Sequence, residues 1–452
     1  MGSARFGKWW TAPLLVFVAG AALGQQPSLT LREAIDQALG RSPQTAEASA
    51  DVRAADAAAG MARTALLPRL SATEDISRGD DPVYVFGSRL RQQEFTQSDF
   101  SLNSLNRPAP INNFATRLSG QWMLFDWFAT EKRIRGARLA AAGANSMTGA
   151  ASQRVVLQVV QGYQAVLYAQ RQAELARSEQ ETAEALLRDA QSRVKAGTAI
   201  ESDLLAAQVN LAERQQDRIA AEGGVDDAWA ALEAAMGGGF AVRPALTPMQ
   251  AKSFPDGDLD QDIQAALRAR PDLKALQQQS ASQQQAVKAA RSDFLPRVSA
   301  YGDWEMDRQT LAGSGGDNWV AGAQLNLDLL PLGKRAKLEE AQAADRKLAA
   351  QEQAVELEIR LAVNRAFTGH QTAERMVVTA QASMEQSAEG LRILRNRYDA
   401  GLATMTDLLR AEDAQRRSRN DYWRAAYGNA VAYAELLYAT GQITPDSAEN
   451  LQ

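Results

Sequence analysis

A mainly α fold with a smaller β part, made of one unit written twice, is what this 452-residue sequence predicts. Three observations carry that expectation. Leu39–Ala72 aligns with Leu267–Ala300 at a constant offset of 228, matching Pro43 to Pro271, Arg63 to Arg291 and Leu67-Pro68-Arg69-Leu70-Ser71-Ala72 to Leu295-Pro296-Arg297-Val298-Ser299-Ala300. Beyond each Leu-Pro-Arg junction the apolar residues recur at every second position, the period of a strand with two unlike faces. After each pair of such segments comes a proline-free stretch with apolar positions about 3.5 apart, the spacing of helices packed as coiled coils.

The elements follow in order. Residues 1–24 read as a cleaved signal peptide: Arg5 and Lys8 precede an apolar run from Trp9 to Leu23, and Ala22-Leu23-Gly24 supplies small residues at the cut. Pro13 and Gly20 interrupt that run, which is too short for a membrane anchor. The first structural repeat spans 25–237, with strands at about 70–77 and 114–125 and helices at about 131–196 and 201–236. A Gly/Pro-rich linker, 238–258, leads to the second repeat, 259–441, with strands at about 297–307 and 318–329 and helices at about 334–400 and 407–440; residues 442–452 form a tail. Each copy opens with a helical stretch that stops at Pro68 or Pro296, where the backbone loses a donor. Later parts of the repeat align at offsets of 202 and 204, which places about 26 extra residues in the first copy between Ala72 and Asp126. Gly79–Asn113 is therefore expected as an enlarged loop, where the second copy has only Ala312-Gly-Ser-Gly-Gly316.

In Trp319–Leu329 the apolar residues hold the odd positions and Gln324, Asn326 and Asp328 the even ones. Eleven residues at about 3.3 Å each, tilted by about 40°, rise roughly 28 Å, close to the hydrocarbon thickness of a bilayer. Trp122, Trp127, Trp304 and Trp319 are expected near strand ends, where interfacial aromatics belong. A half-buried hairpin of a soluble domain fits the same alternation. In a membrane four strands cannot close alone, since the smallest barrels have about eight, so two or three chains would have to join. Val155, Val159, Tyr163, Val166, Ala169, Ala173, Ala176, Ala183, Leu187, Ala190 and Val194 form the stripe of the first long helix, which would reach about 100 Å.

Composition removes whole classes of function. There is no cysteine and one histidine, so disulfide scaffolds, cysteine nucleophiles and Cys- or His-built metal sites are excluded, and no cofactor is expected. A formal net charge of -5 gives no basic footprint for nucleic acid. No nucleophile, base and oxyanion group converge in the sequence, so the chain is not expected to be an enzyme. His370 reads as a surface or tunnel-wall residue, and Arg416-Arg417-Ser-Arg419 as a solvated helical face, with a phosphate or headgroup site as the alternative.

This order of parts resembles the TolC-type outer-membrane efflux proteins of Gram-negative envelopes over roughly Leu29–Gly441. The resemblance rests on the Leu-Pro-Arg-x-Ser-Ala junctions, on Asp126 and Asp328 closing each hairpin, and on the turns Arg193-Val-Lys-Ala-Gly197-Thr-Ala-Ile-Glu-Ser-Asp203 and Arg397-Tyr398-Asp-Ala-Gly401-Leu-Ala-Thr-Met-Thr-Asp407. It implies a homotrimer whose chains supply four strands each to one twelve-stranded outer-membrane barrel, continued by a periplasmic helical tunnel. The implied function is the exit duct of a tripartite efflux or type I secretion system, not lipidated and with an iris-like gate at the helix tips. Its implied partners are a periplasmic adaptor, an inner-membrane RND or ABC transporter and outer-membrane lipid. Trp127-Phe128 and Leu329-Leu330 stand where the family often has glycines after the hairpin aspartate. The competing reading is a periplasmic coiled-coil adaptor or scaffold without channel activity.

The resemblance also assigns residues. Asp407 and Tyr398 match gate positions, with Asp203 the first-copy equivalent of Asp407, while Arg410 replaces a second gate aspartate. The tip turns Gly197, Thr198 and Ala199, and Gly401, Leu402 and Ala403, match adaptor-docking positions. Local chemistry offers another reading: Thr198-x-x-Glu201 is a capping box, Thr404-x-x-Asp407 a weaker one, and both glycines end helices.

Overall fold

The computed structural model describes residues 28–248, 254 and 257–449, so the expected signal peptide lies outside the described residues. Copy one runs β1 (Ser28–Leu29), α1 (Leu31–Arg41), α2 (Pro43–Thr64), β2 (Arg69–Gly79), α3 (Pro82–Arg91), α4 (Leu102–Asn106), β3 (Ile111–Phe125), α5 (Ala129–Lys195) and α6 (Glu201–Ala235). After β4 (Ala245–Leu246) in the joint, copy two runs α7 (Leu259–Ala269), α8 (Pro271–Ser292), β5 (Arg297–Arg308), β6 (Gly315–Asn326), α9 (Leu332–Asp399) and α10 (Met405–Ala439), before a short α11 (Pro445–Glu449).

Three expectations about the elements change. The helical stretch opening each copy is two helices, because Ser42 and Arg270, each preceding a proline, are extended, and the proline then starts the next helix. The enlarged loop is folded, with α3, a 3₁₀ turn at Gln97–Phe100 and α4 gathered around the edge-to-face rings of Phe86, Phe95 and Phe100. The last strand ends at Asn326 rather than at 329, since Leu327–Pro331 leaves the ladder to enter α9.

The four longer strands form one antiparallel sheet in the order β2-β3-β5-β6, so the hairpins of the two copies join through β3 and β5. Register sorts the side chains. One face carries the row Ala72, Leu118, Trp304 and Trp319, together with Leu70, Ile76, Trp122, Val298 and Leu325, and beyond the tryptophan row, at its loop end, the charged residues Glu74, Arg78, Arg308 and Asp317. The opposite face carries the row Thr73, Arg117, Glu305 and Asn318, with Ser71, Ser119 and Asp303 beside it. Trp304 and Trp319 pair directly within the strands instead of marking their ends. Among the described residues β2 and β6 have no strand on their outer edges.

Below the sheet stand α5 and α9, of 67 and 68 residues and so about 100 Å long. α8 packs against both, and α5 also holds α2 and α6, so the copies interleave rather than forming separate domains. Gly136 and Gly143 of α5 allow the close approach: a Cβ at either would lie 3.3 Å from a backbone oxygen of α8, Ser282 or Ala275. The predicted stripe of α5 is buried or half-buried throughout. Val155, Val159 and Tyr163 join Leu31, Ile35, Trp229 and Leu232 in the main core. There β1 pairs parallel with β4, and Tyr163 donates to the carbonyls of Leu29 at 2.8 Å and Thr247 at 3.0 Å. His370 lies in the interior, 1 % exposed, beside Phe254 and Tyr433, which stack at 4.3 Å. It is neither a surface nor a wall residue, because the joint between copies covers this side of α9. Among the described residues no helix is long and apolar enough to cross a membrane.

The first hairpin meets its long helix through a capped, left-handed turn. Asp126 caps α5, its Oδ2 accepting from Thr130 N at 2.8 Å and Thr130 Oγ1 at 2.6 Å. Trp127 and Phe128, where the family often has glycine, are left-handed at φ 55° and 61°. Such non-glycine positions cost about 1–2 kcal/mol each. The Trp127 indole, donating to Pro296 O at 2.9 Å, and the neighbouring Phe125 ring hold them.

The repeat also fixes two glycines with different surroundings. Gly237 has φ 74°, and a Cβ there would meet Arg41 O at 2.8 Å; Gly441, its counterpart, has φ 73° and would meet Arg270 Cα at 3.1 Å. Gly237→Ala is expected to cost about 1–2 kcal/mol for handedness and about 1–3 kcal/mol for overpacking. Gly197→Ala, with φ 74° and open space around it, should cost only the first part. Denaturant melts of the two variants side by side check this, with Gly237→Ala unfolding at the lower concentration.

Candidate gate and docking turns

The distal end of the shaft is built from two equivalent turns. α5 and α9 each stop at a left-handed glycine, Gly197 and Gly401 at φ 74° and 73°. Two bonds close each turn: Gly197 N to Val194 O and Thr198 N to Arg193 O, and Gly401 N to Tyr398 O and Leu402 N to Arg397 O. Thr198, Gly197, Gly401 and Leu402 are exposed and Ala199 and Ala403 half-buried, so the turns project beyond the tip core. That core consists of Leu186 and Ala190 from α5, Ala207 from α6, Tyr398 from α9, and Met405 and Leu408 from α10. It joins the hairpin of copy one to the hairpin of copy two.

The two candidate caps differ. Thr404 and Asp407 form a complete capping box: Asp407 Oδ2 accepts from Thr404 N at 3.1 Å and from Thr404 Oγ1 at 2.7 Å, and Asp407 N donates to Thr404 Oγ1 at 3.2 Å. The side-chain bond, then the backbone bond, holds the Asp407 carboxyl below the ordinary aspartate range. At the first turn the expected box is absent. Thr198 Oγ1 donates back to Arg193 O at 3.1 Å, Ile200 occupies the N-cap position, and Glu201 and Asp203 simply lie in the first turn of α6. The Gly turn places Thr198 too early to reach α6.

Tyr398 is buried, and its partner is one that sequence reasoning did not single out. The Arg193 guanidinium of α5 sits 4.8 Å from the Tyr398 ring centroid, bonds Asp189 at 2.7 Å and reaches Asp399 at 3.3 Å. Burial, set against Arg193 and joined by Asp189, Asp203 and Asp399, raises the Tyr398 hydroxyl. Tyr398 and Asp203 thus share one electrostatic setting, whereas Asp407 is committed to its own cap.

A second charged junction lies further up the shaft. Arg214 of α6, nearly buried, bonds Asp217 at 2.9 Å and Asp413 of α10 at 3.3 Å, while Arg395 of α9 reaches Glu412 at 3.2 Å. Arg416 and Arg419 line the same cavity of about 190 Å³, so the arginine run is only partly a solvated face. Glu179 of α5 faces them. Burial pushes it up to about 7, against the pull of Arg416, Arg214 and Arg419, and burial also raises Glu412.

A carboxyl raised on folding adds stability that is complete below its unfolded value of 4.5 and is lost as pH rises through about 7. The melting temperature is therefore expected to fall between about pH 4.5 and 7, and Glu179→Gln should flatten that slope. Thermal melts across that range check it.

Three comparisons bear on identity. AprF of Pseudomonas aeruginosa, an alkaline protease secretion protein, is 25% identical over 92% of this chain and 85% of its own length. CyaE of Bordetella pertussis is 26% identical over 90% and 81%. Among solved structures, the CmeC outer membrane channel of Campylobacter jejuni has the same fold, with TM-score 0.79, 19% identity and coverage of 92% of this chain and 88% of that one. The outer membrane efflux protein family matches residues 34–238 and 263–442, more than half of the sequence. The chain belongs to the outer membrane efflux protein family.

Proposed function

We propose that three copies of this chain form an outer-membrane exit duct, which moves cargo passively and carries no catalytic centre. The observation that carries this reading is the four-stranded sheet, apolar on one face from the Trp304–Trp319 row down to the helices, polar on the other and, among the described residues, open at both edges, standing on a shaft of about 100 Å. Three such sheets give the twelve strands that the family resemblance implies. The apolar face then meets lipid, and the row of Thr73, Arg117, Glu305 and Asn318 meets the lumen. Similarity to secretion proteins such as AprF supports a place in a tripartite system, with a periplasmic adaptor and an RND or ABC transporter below. The signal peptide at 1–24 would export the chain.

In this reading the exposed turns Gly197, Thr198, Ala199, Gly401, Leu402 and Ala403 receive the adaptor. The gate is the iris formed by the hairpins, and the Arg193–Tyr398 contact is its latch. Arg193 joins Tyr398 and Asp203 as a gate residue on geometry alone, because it ties the hairpin of copy one to that of copy two. Three-fold repetition would gather three Asp407 carboxylates and favour cations at the constriction. The cap leaves this role open, since one carboxylate can both cap a helix and contribute its charge to a ring.

The scaffold reading requires the sheet to be soluble. Leu70, Ile76, Trp319 and Leu325, all well exposed on one face, weigh against it. Folded protein that stays soluble without detergent would favour that reading.

Reconstitution in planar bilayers tests the duct: folded, inserted protein should give ohmic channels, and persistent silence would sink the proposal. A partly exposed cation–π contact with its ion pair is worth about 1–2 kcal/mol, so Arg193→Ala should shift closed toward open about tenfold per latch. Asp407→Asn should weaken block by multivalent cations added from the periplasmic side. Unchanged block in that variant would remove Asp407 from the ring.

A further inference from the structure

The 26-residue excess of copy one lies at the end of the sheet farthest from the helices, and its packing is one-sided. Tyr84 of α3 shares a hydrogen bond of 2.9 Å with Ser77 of β2. Gln92, just past α3, donates to Asn113 Oδ1 at 2.8 Å and to Asn112 O at 3.0 Å, and Asn113 donates to Asp307 Oδ1 at 2.6 Å. Arg91 lies 3.5 Å from Glu305 of β5, and its carbonyl accepts from Asn318 of β6 at 3.4 Å. Ser77, Asn113, Glu305, Asp307 and Asn318 all belong to the polar face of the sheet. Consequently Asp307 is fully buried there, while Leu70, Trp319 and Leu325 on the other face stay exposed.

The dimensions match a helix laid across the wall. Ten residues make α3 about 15 Å long, and three interstrand spacings of about 4.8 Å make the four strands about 14 Å wide. Its contacts run from β2 through β3 to β5 and β6, so it lies crosswise like a lintel rather than along the strands.

We propose that this insertion is an inward-folded cap, and that three copies of it close the outer mouth of the duct. The inference rests on the trimeric-duct reading, which makes the polar face the lumen. Twelve strands about 4.8 Å apart and tilted by about 40° enclose a bore of about 24 Å between backbones. A ring of helices about 10 Å thick lining that bore leaves an opening of about 4 Å. That is too narrow for a drug-sized solute, let alone a polypeptide. The duct then has two closures in series, the latched tip and the capped mouth, and opening the tip alone leaves the path passable to small ions but shut to larger solutes. Copy two cannot supply such a cap, because its hairpin turn is short.

The test uses single-channel conductance of the full chain in planar bilayers, in a background where Arg193→Ala has released the tip. Replacing residues 81–110 by a short Gly-Ser turn is expected to raise conductance at least threefold and to admit larger polyethylene glycols from the outer side. A second variant, Arg91→Ala with Gln92→Ala, keeps the segment and removes its side-chain ties to Glu305, Asn112 and Asn113 while leaving the Tyr84–Ser77 bond; it should convert steady low conductance into flickering to the higher level. Conductance and polymer cut-off unchanged in both variants would overturn the cap while leaving the duct intact. Silence from every folded, inserted variant would overturn the duct reading and the cap with it.

Discussion

A strand edge carries a row of unpaired N–H and C=O groups, and hydrocarbon offers them no partner. In this chain β2 and β6 present two such edges at the rim of a sheet whose outer face, from Leu70 to Trp319 and Leu325, is apolar. Water disfavours that face and lipid disfavours those edges. Joining the β2 edge of one copy to the β6 edge of the next satisfies both demands, and the rest of the architecture serves it. The interleaving of α2, α5, α8 and α9 fixes how the two hairpins meet, and the β3–β5 ladder makes them one wall segment.

The same duplication explains where movement is permitted. High on the shaft the copies are locked by backbone-to-backbone approaches, as at Gly136 against Ser282 and Gly143 against Ala275. Toward the tip they meet through side chains. There one stacked arginine, a small apolar core and the junction around Arg214 join hairpin to hairpin. Contacts of that kind can be exchanged without unfolding a helix, which suits the opening joint proposed for the tip.

Much of this was legible in the sequence because the signals were local. Gly197 and Gly401 announce helix ends through a backbone requirement that belongs to one residue. The alternation in 297–307 and 319–325 gives both faces of the sheet before any register is known, and Pro68 and Pro296 mark where helix yields to strand. What escaped depended on distance along the chain. Nothing near Arg193 says that its guanidinium will lie on a ring about two hundred residues away, and nothing near His370 says that Phe254 will cover it. The folded insertion is a different case. Asp81-Pro82 is a helix start, and Asp81 does accept from Val83 N and Tyr84 N. That local signal was outweighed by the expectation that an extra segment between strands is a loop.

The claim on which the account turns is that the sheet's two edges are paired between chains. Amide exchange of β2 and β6 in the bilayer-inserted protein measures it directly. The account predicts that outward-pointing amides of Leu70–Ile76 and Trp319–Leu325 are protected as strongly as those of β3. Rapid exchange along both edges, in protein that is folded and inserted, would contradict it.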